Sequence, residues 1–212
     1  MILSRSVIKL ARDAGYIVIE PFLVEHINPN SYNFRLGPTL REYCSDILDP
    51  RNQNDFVEQT IGPEGFVLEP GKLYLAHTIE RLGGTVYAPT FAARSSIARL
   101  GLFINLSASL GDIGFIGQWT LQLYSARRLR VYAGMAIGQM MWWQVRGDVN
   151  LYEGKYQGAI GPRTSDIYLD YLKTEARANL PRLDSDFSHD DVGLKFATLL
   201  DFPAHFPSPM LS

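Results

Sequence analysis

An all-β sandwich or barrel is the fold class this chain predicts, with a short helix in front and a partly helical extension behind. Three observations point there. Short β-prone runs follow one another, each closed by glycine, proline or another turn-former. Some of these runs alternate apolar with polar side chains, the period of a strand with one buried face. No strand pattern is followed by the helix-length pattern that βαβ units require.

The elements can be taken in order. Residues 4–14 place Val7, Ile8, Leu10 and Ala11 at helical spacing, with Ser4 or Ser6 as the cap and Gly15 as the stop. Residues 17–19 and 31–36 read as strands, the second alternating Tyr32, Phe34 and Leu36 with polar neighbours. Residues 49–65, rich in Asp, Asn, Gln, Pro and Gly, read as a loop. Further strands are expected over 66–69, 73–78, 85–88, 100–106, 119–124, 129–132 and 140–145. Beyond Tyr168 the character shifts. Helices are expected over 168–180 and 192–200, ahead of Phe202-Pro203, Phe206-Pro207 and Ser208-Pro209. This sets a β domain at 1–168 and an extension at 169–212. Apolar residues are too frequent in the extension for simple disorder, so it is expected to pack on its own or a neighbouring subunit.

Composition excludes several function classes. The 212 residues are 46% hydrophobic, enough for one large core. A net charge of −2 gives no sign of a nucleic-acid or membrane partner. Cys44 is the single cysteine, so an internal disulfide and a multi-thiolate zinc site are both excluded. His26, His77, His189 and His205 are scattered along the sequence, so they give no zinc-ligand spacing either. No leader or membrane-length apolar run is read, and a cytoplasmic, reducing compartment is the expectation.

Chemistry concentrates in residues 92–123. Arg94, Ser95, Ser96 and Arg99 form a charged, hydroxyl-rich cluster, and guanidinium forks and hydroxyls both donate to phosphate oxygens. The same residues equally suit a solvated surface turn. Asp112 follows, between Gly111 and Gly114, where the backbone can come close to a ligand; an aspartate turn-former is the alternative.

Arg-Ser-Ser-Ile-Ala-Arg-Leu-Gly-Leu (94–102), followed by Gly-Asp-Ile-Gly-Phe-Ile-Gly-Gln (111–118), resembles the core of the dCTP deaminase and dUTPase superfamily. Three more blocks fall in that family's order: Asn-Ser-Tyr-Asn-Phe-Arg-Leu-Gly (30–37), Leu-Glu-Pro-Gly-Lys-Leu-Tyr-Leu-Ala-His-Thr-Ile-Glu (68–80) and Gly-Met-Ala-Ile-Gly-Gln-Met (134–140). Lys-Tyr-Gln-Gly (155–158), with Gly161-Pro162, is similar to the glycine-bearing tail of the deaminase branch. The resemblance implies a distorted jelly-roll or β-clip-like dUTPase fold, a homotrimer with sites between subunits, and a pyrimidine deoxynucleoside triphosphate as substrate.

It also implies roles. Arg94, Ser95 and Ser96 would grip the triphosphate, with Arg99 near the reacting centre. Asp112 would hold the sugar 3′-hydroxyl or activate water, for which a carboxylate is a competent base. Phe115 would pack under deoxyribose and leave no room for a 2′-hydroxyl; a core aromatic is the other reading. Ala108 would face the pyrimidine, and the Gln118 amide would reach phosphate. Gln139 matches the glutamine of the fourth block. Lys155, Tyr156 and Gln157 would close over the triphosphate, with Mg²⁺ bridging phosphate oxygens and no metal ligand from protein side chains.

One position departs. The deaminase branch carries a glutamate that shuttles protons in Thr-Leu-Glu-Leu, and this chain reads Thr120-Leu121-Gln122-Leu123. A neutral amide keeps the shape but does not cycle a proton, and losing such a group costs roughly 10²–10⁴-fold. The sequence therefore predicts a nucleotide hydrolase, cutting dUTP or a related pyrimidine deoxynucleotide to monophosphate and pyrophosphate, with Asp112 as base. A metal-free dCTP deaminase, or a bifunctional dCTP deaminase and dUTPase, is the alternative, with water or Asp112 taking the proton role. A non-catalytic nucleotide-binding regulator is the third reading.

Overall fold

A computed structural model describes residues 1–178, and residues 1–172 form one compact unit. The chain is mainly β. Its first helix, α1 (Arg5–Asp13), begins after Ser4 and ends where Gly15 turns at a φ of 77°. Only Ile8 and Ala11 of its apolar residues are buried; Val7 and Leu10 face solvent. A narrow stripe suffices because α1 packs on a single strand, β1 (Ile17–Glu20).

The central sheet is built on β6 (Leu73–Gly84), which runs well past the strand expected at 73–78. Its neighbours are β3 (Thr39–Tyr43), β9 (Ile116–Ser125) and β1, all antiparallel. Outside β3 lies β4 (Phe56–Thr60), and outside β9 lies β8 (Leu102–Phe103). A second sheet sets β2 (Tyr32–Arg35) and β7 (Tyr87–Ala93) on either side of β11 (Ala136–Gln144). A small pair joins β5 (Phe66–Leu68) to β10 (Leu129–Val131). Between the sheets, Tyr32, Phe34, Leu82, Leu121, Met140 and Trp142 are essentially inaccessible, each such burial contributing on the order of 2 kcal/mol.

Several sequence expectations need correcting. The loop expected at 49–65 contains β4, whose edge position leaves Val57 and Glu58 exposed and so erases any alternation. The strand expected at 85–88 begins later and runs to Ala93. The apolar run 100–106 is mostly not strand: α2 (Ser95–Ala98) precedes it, and only Leu102 and Phe103 pair. Helix α3 (Tyr168–Ala178) forms where expected, while 192–200 and most of the 169–212 extension lie outside the described residues.

A polar seam crosses the core at a bulge in β6, where its ladder with β9 is interrupted between His77 and Arg81. Glu80, fully buried, accepts from the Arg35 backbone N–H (2.9 Å) and side-chain Nε (2.7 Å). His77 Nδ1–H donates to the Thr78 carbonyl (2.9 Å), which leaves Nε2 as acceptor for the Thr39 hydroxyl (3.0 Å). Gly37 lies flat against that ring, with no room for a Cβ.

Burial lowers the His77 pKa below its usual 6.5, opposed by its contacts with Thr78 and Gln118 and by the charge of Glu58. The unfolded chain therefore takes up a proton first as pH falls. The stability that the neutral ring contributes is complete above about pH 6.5 and is lost on the way down to the folded pKa. His77→Gln should consequently flatten the fall in Tm between about pH 7 and pH 5. Identical slopes for the two proteins would reject this role.

Candidate active site

Strand β9 alternates strictly: Gly117, Trp119, Leu121 and Leu123 are buried, while Ile116, Gln118, Thr120 and Gln122 are half-exposed on the other face. A cavity of about 560 Å³ opens over Gln118, Thr120 and Gln122. That volume suits a drug- or nucleotide-sized ligand, whose pockets span roughly 300–1,000 Å³.

Asp112 reaches this cavity because glycines flank its turn. A Cβ on Gly111 would sit 1.9 Å from the Trp119 ring, and Gly114, at a φ of 97°, lies against the Tyr152 backbone. The turn closes through the backbone, the Phe115 N–H donating to the Asp112 carbonyl (3.3 Å). Phe115 lines the cavity and also packs edge-to-face on Trp119 (5.2 Å) and Tyr152 (5.9 Å), so it is anchored in the core at the cavity wall.

Gln122 is oriented by its surroundings. Its Oε1 accepts the Leu106 N–H (3.1 Å), and its own N–H donates to the Ile104 carbonyl (2.8 Å). Because Leu106 offers only a donor, the oxygen is the tied end and the NH₂ is left for the cavity. The loop bearing Ala108, which also lines the cavity, is thereby seated on β9.

Of the remaining candidates, Tyr156 lines the cavity and its hydroxyl accepts the Asp166 N–H (2.9 Å). Lys155 pairs with Asp170, and that hydrogen bond raises its pKa. The Gln157 amide is spent on backbone: Nε2 donates to the Gly114 carbonyl (2.7 Å) and Oε1 accepts the Ile116 N–H (2.9 Å). Gln139 lies in the other sheet, accepting the Ser31 hydroxyl (3.1 Å). Arg94 precedes α2 and donates to the Ala136 carbonyl (3.3 Å), and Ser95, Ser96 and Arg99 are exposed. Within one chain none of that turn lines the cavity.

Sequence reasoning missed Tyr43, Thr120, Tyr152 and Arg163, which also line it. Thr120 was accessible from the period-two pattern through Gln122. The others come from elements whose packing no local pattern announces. Among the described residues, no group of three or more His, Cys, Asp and Glu side chains is arranged to hold a metal ion, and Asp112 is the only carboxylate on the cavity wall. No helix among them is long and apolar enough to cross a membrane.

The profile of the dCTP deaminase-like family matches residues 2–145. The chain belongs to that family. A relative named dCTP deaminase, dUMP-forming, from Clostridium acetobutylicum is 44% identical over 175 residues, covering 81% of this chain and 99% of its own. The relative of the same name from Hathewaya histolytica is 42% identical over 174 residues, with the same coverage. The crystal structure of 2′-deoxycytidine 5′-triphosphate deaminase from Agrobacterium tumefaciens superposes with a TM-score of 0.53 at 21% identity, over 66% of this chain and 47% of that one, which places the fold alone.

These relatives overturn the expectation of a nucleotide hydrolase acting on dUTP. That expectation set one side chain against the whole chain. Glutamine at 122 keeps the shape, the tie to Leu106 and a hydrogen-bonding face toward the cavity, so the architecture around it is intact.

Proposed function

We propose that the chain converts dCTP to dUMP, removing the 4-amino group and releasing pyrophosphate. The observation that carries this is the cavity that holds Asp112, Phe115 and Gln122 together, in a chain 44% identical to a dUMP-forming dCTP deaminase. Atom balance requires two waters: one oxygen replaces the amino nitrogen, which leaves as ammonia, and the other cleaves the α–β phosphate bridge.

In this reading Ala108 and the Gln122 NH₂ meet the pyrimidine edge, Phe115 backs the deoxyribose, and Asp112 serves as the base or holds the sugar hydroxyl. The Gln122 amide orients the base, and water carries the proton that a carboxylate at this position would have carried. Arg94, Ser95, Ser96 and Arg99 do not line the cavity of their own chain, and would meet the triphosphate in a neighbouring copy's site within a homotrimer. With no protein cage among the described residues, Mg²⁺ would ride on phosphate oxygens and waters, where its charge offsets that of the triphosphate.

The test is nucleotide chromatography with ammonia detection after incubation with dCTP and Mg²⁺, repeated at decreasing protein concentration. Equal amounts of ammonia and dUMP, with activity lost on dilution, are expected. Unchanged dCTP, or release of pyrophosphate without ammonia, rejects the reading.

A further inference from the structure

The segment following the second sheet, residues 152–166, is strapped across one end of β9, largely by side chains. Its backbone bonds to the rest of the unit are Tyr152 N–H to the Ile113 carbonyl (2.7 Å) and Gln118 N–H to the Ala159 carbonyl (2.8 Å). The other ties are the Gln157 amide, which bonds the Gly114 carbonyl and the Ile116 N–H, the half-exposed row of β9 and one tyrosine. Thr120 Oγ1 accepts the Arg163 N–H (3.0 Å), and the Tyr43 hydroxyl accepts the Ser165 N–H (2.8 Å). Gln118 Oε1 accepts the Gly161 N–H (2.7 Å).

Gln118 differs from the other ties. Its Nε2 donates to the Ile79 carbonyl (3.0 Å), inside the β6 bulge where the ladder to β9 is broken. One amide thus joins the irregular point of the central sheet to the strap that brings Tyr156 and Arg163 to the cavity wall. Both polar ends of that amide are occupied by protein.

We propose that Gln118 is a positioning residue that fixes the strap over the cavity by bridging the Ile79 carbonyl and the Gly161 N–H. It acts on substrate through the strap. The kinetic consequence rests on the dCTP deaminase reading; the structural one does not.

Hydrogen–deuterium exchange of the unliganded full chain separates the two. A net hydrogen bond toward the upper end of the usual range, about 1.4 kcal/mol, corresponds to a tenfold change in a local opening equilibrium. In Gln118→Ala, amides of 157–165 should therefore exchange about tenfold faster than in the parent, with β6 and β11 unchanged. Gln118→Glu keeps the acceptor for Gly161 and loses the donor to Ile79, so it should fall between the two. KM for dCTP should rise about tenfold in the alanine variant while kcat stays within about threefold, following the same hydrogen-bond increment. Unchanged strap exchange in Gln118→Ala would overturn the proposal, even with a raised KM, because Gln118 would then act on ligand directly. Faster exchange spread over the whole sheet in Gln118→Glu would also overturn it. Absence of dCTP turnover in the parent would instead count against the deaminase reading and leave the exchange result standing.

Discussion

Replacing Gln122 by glutamate raises ammonia release from dCTP by roughly 10²–10⁴-fold, the usual contribution of a positioned general acid–base group. The substitution is nearly isosteric, and the tie that orients the side chain survives, because a carboxylate oxygen accepts the Leu106 N–H as the amide oxygen does. The other oxygen then replaces the NH₂ toward the cavity, turning a fixed donor into a group that can take and return a proton. The parent should show little dependence of kcat on pH between about 4 and 7 from this position, and the variant should gain a limb there. An unchanged or lower rate would mean that the proton already travels by another route and that the amide is not limiting.

Asp112→Asn should reduce dUMP formation by a comparable factor, roughly 10²–10⁴. The fold is not at risk, because the turn is closed by the backbone carbonyl and, among the described residues, no hydrogen bond or ion pair holds the carboxylate. Chromatography distinguishes two outcomes of mechanistic interest. Accumulation of deaminated triphosphate places Asp112 at the phosphate-cleaving water alone. Loss of ammonia as well places it at a step that both events share. A dUMP rate within about tenfold of the parent would remove Asp112 from the chemistry.

How much of this was legible in the sequence depended on how local the cause was. The alternation over Trp119–Leu123 is a property of one strand, and the strand expected at 119–124 forms as part of β9, which begins earlier, at Ile116. Strand β4 did not, because at a sheet edge neither of its faces is fully covered. Strand β6 was cut short at Thr78, since a bulge and paired glycines follow. Gly83 nonetheless belongs to the strand, for a Cβ there would strike the Phe115 carbonyl at 1.9 Å. Asp112 could be singled out because its flanking glycines are sequence neighbours. The strap was marked only by the resemblance at 155–162, and its anchoring was not legible, because its ties join residues some forty positions apart, as between Gln118 and Gly161. The functional error arose differently: one amide was taken to outweigh a match along most of the chain.

The strict inside–outside order of β9 also restricts how this protein can vary. Inserting or deleting a single residue within Ile116–Ser125 would exchange the two faces at once, turning Trp119 to water and Gln118, Thr120 and Gln122 into hydrocarbon. Length polymorphism is therefore barred from this strand and diverted to the turn around Ala108 and the stretch beyond Tyr152. New substrate preferences would have to arise by exchanging side chains along the row, or by lengthening the loops at either end.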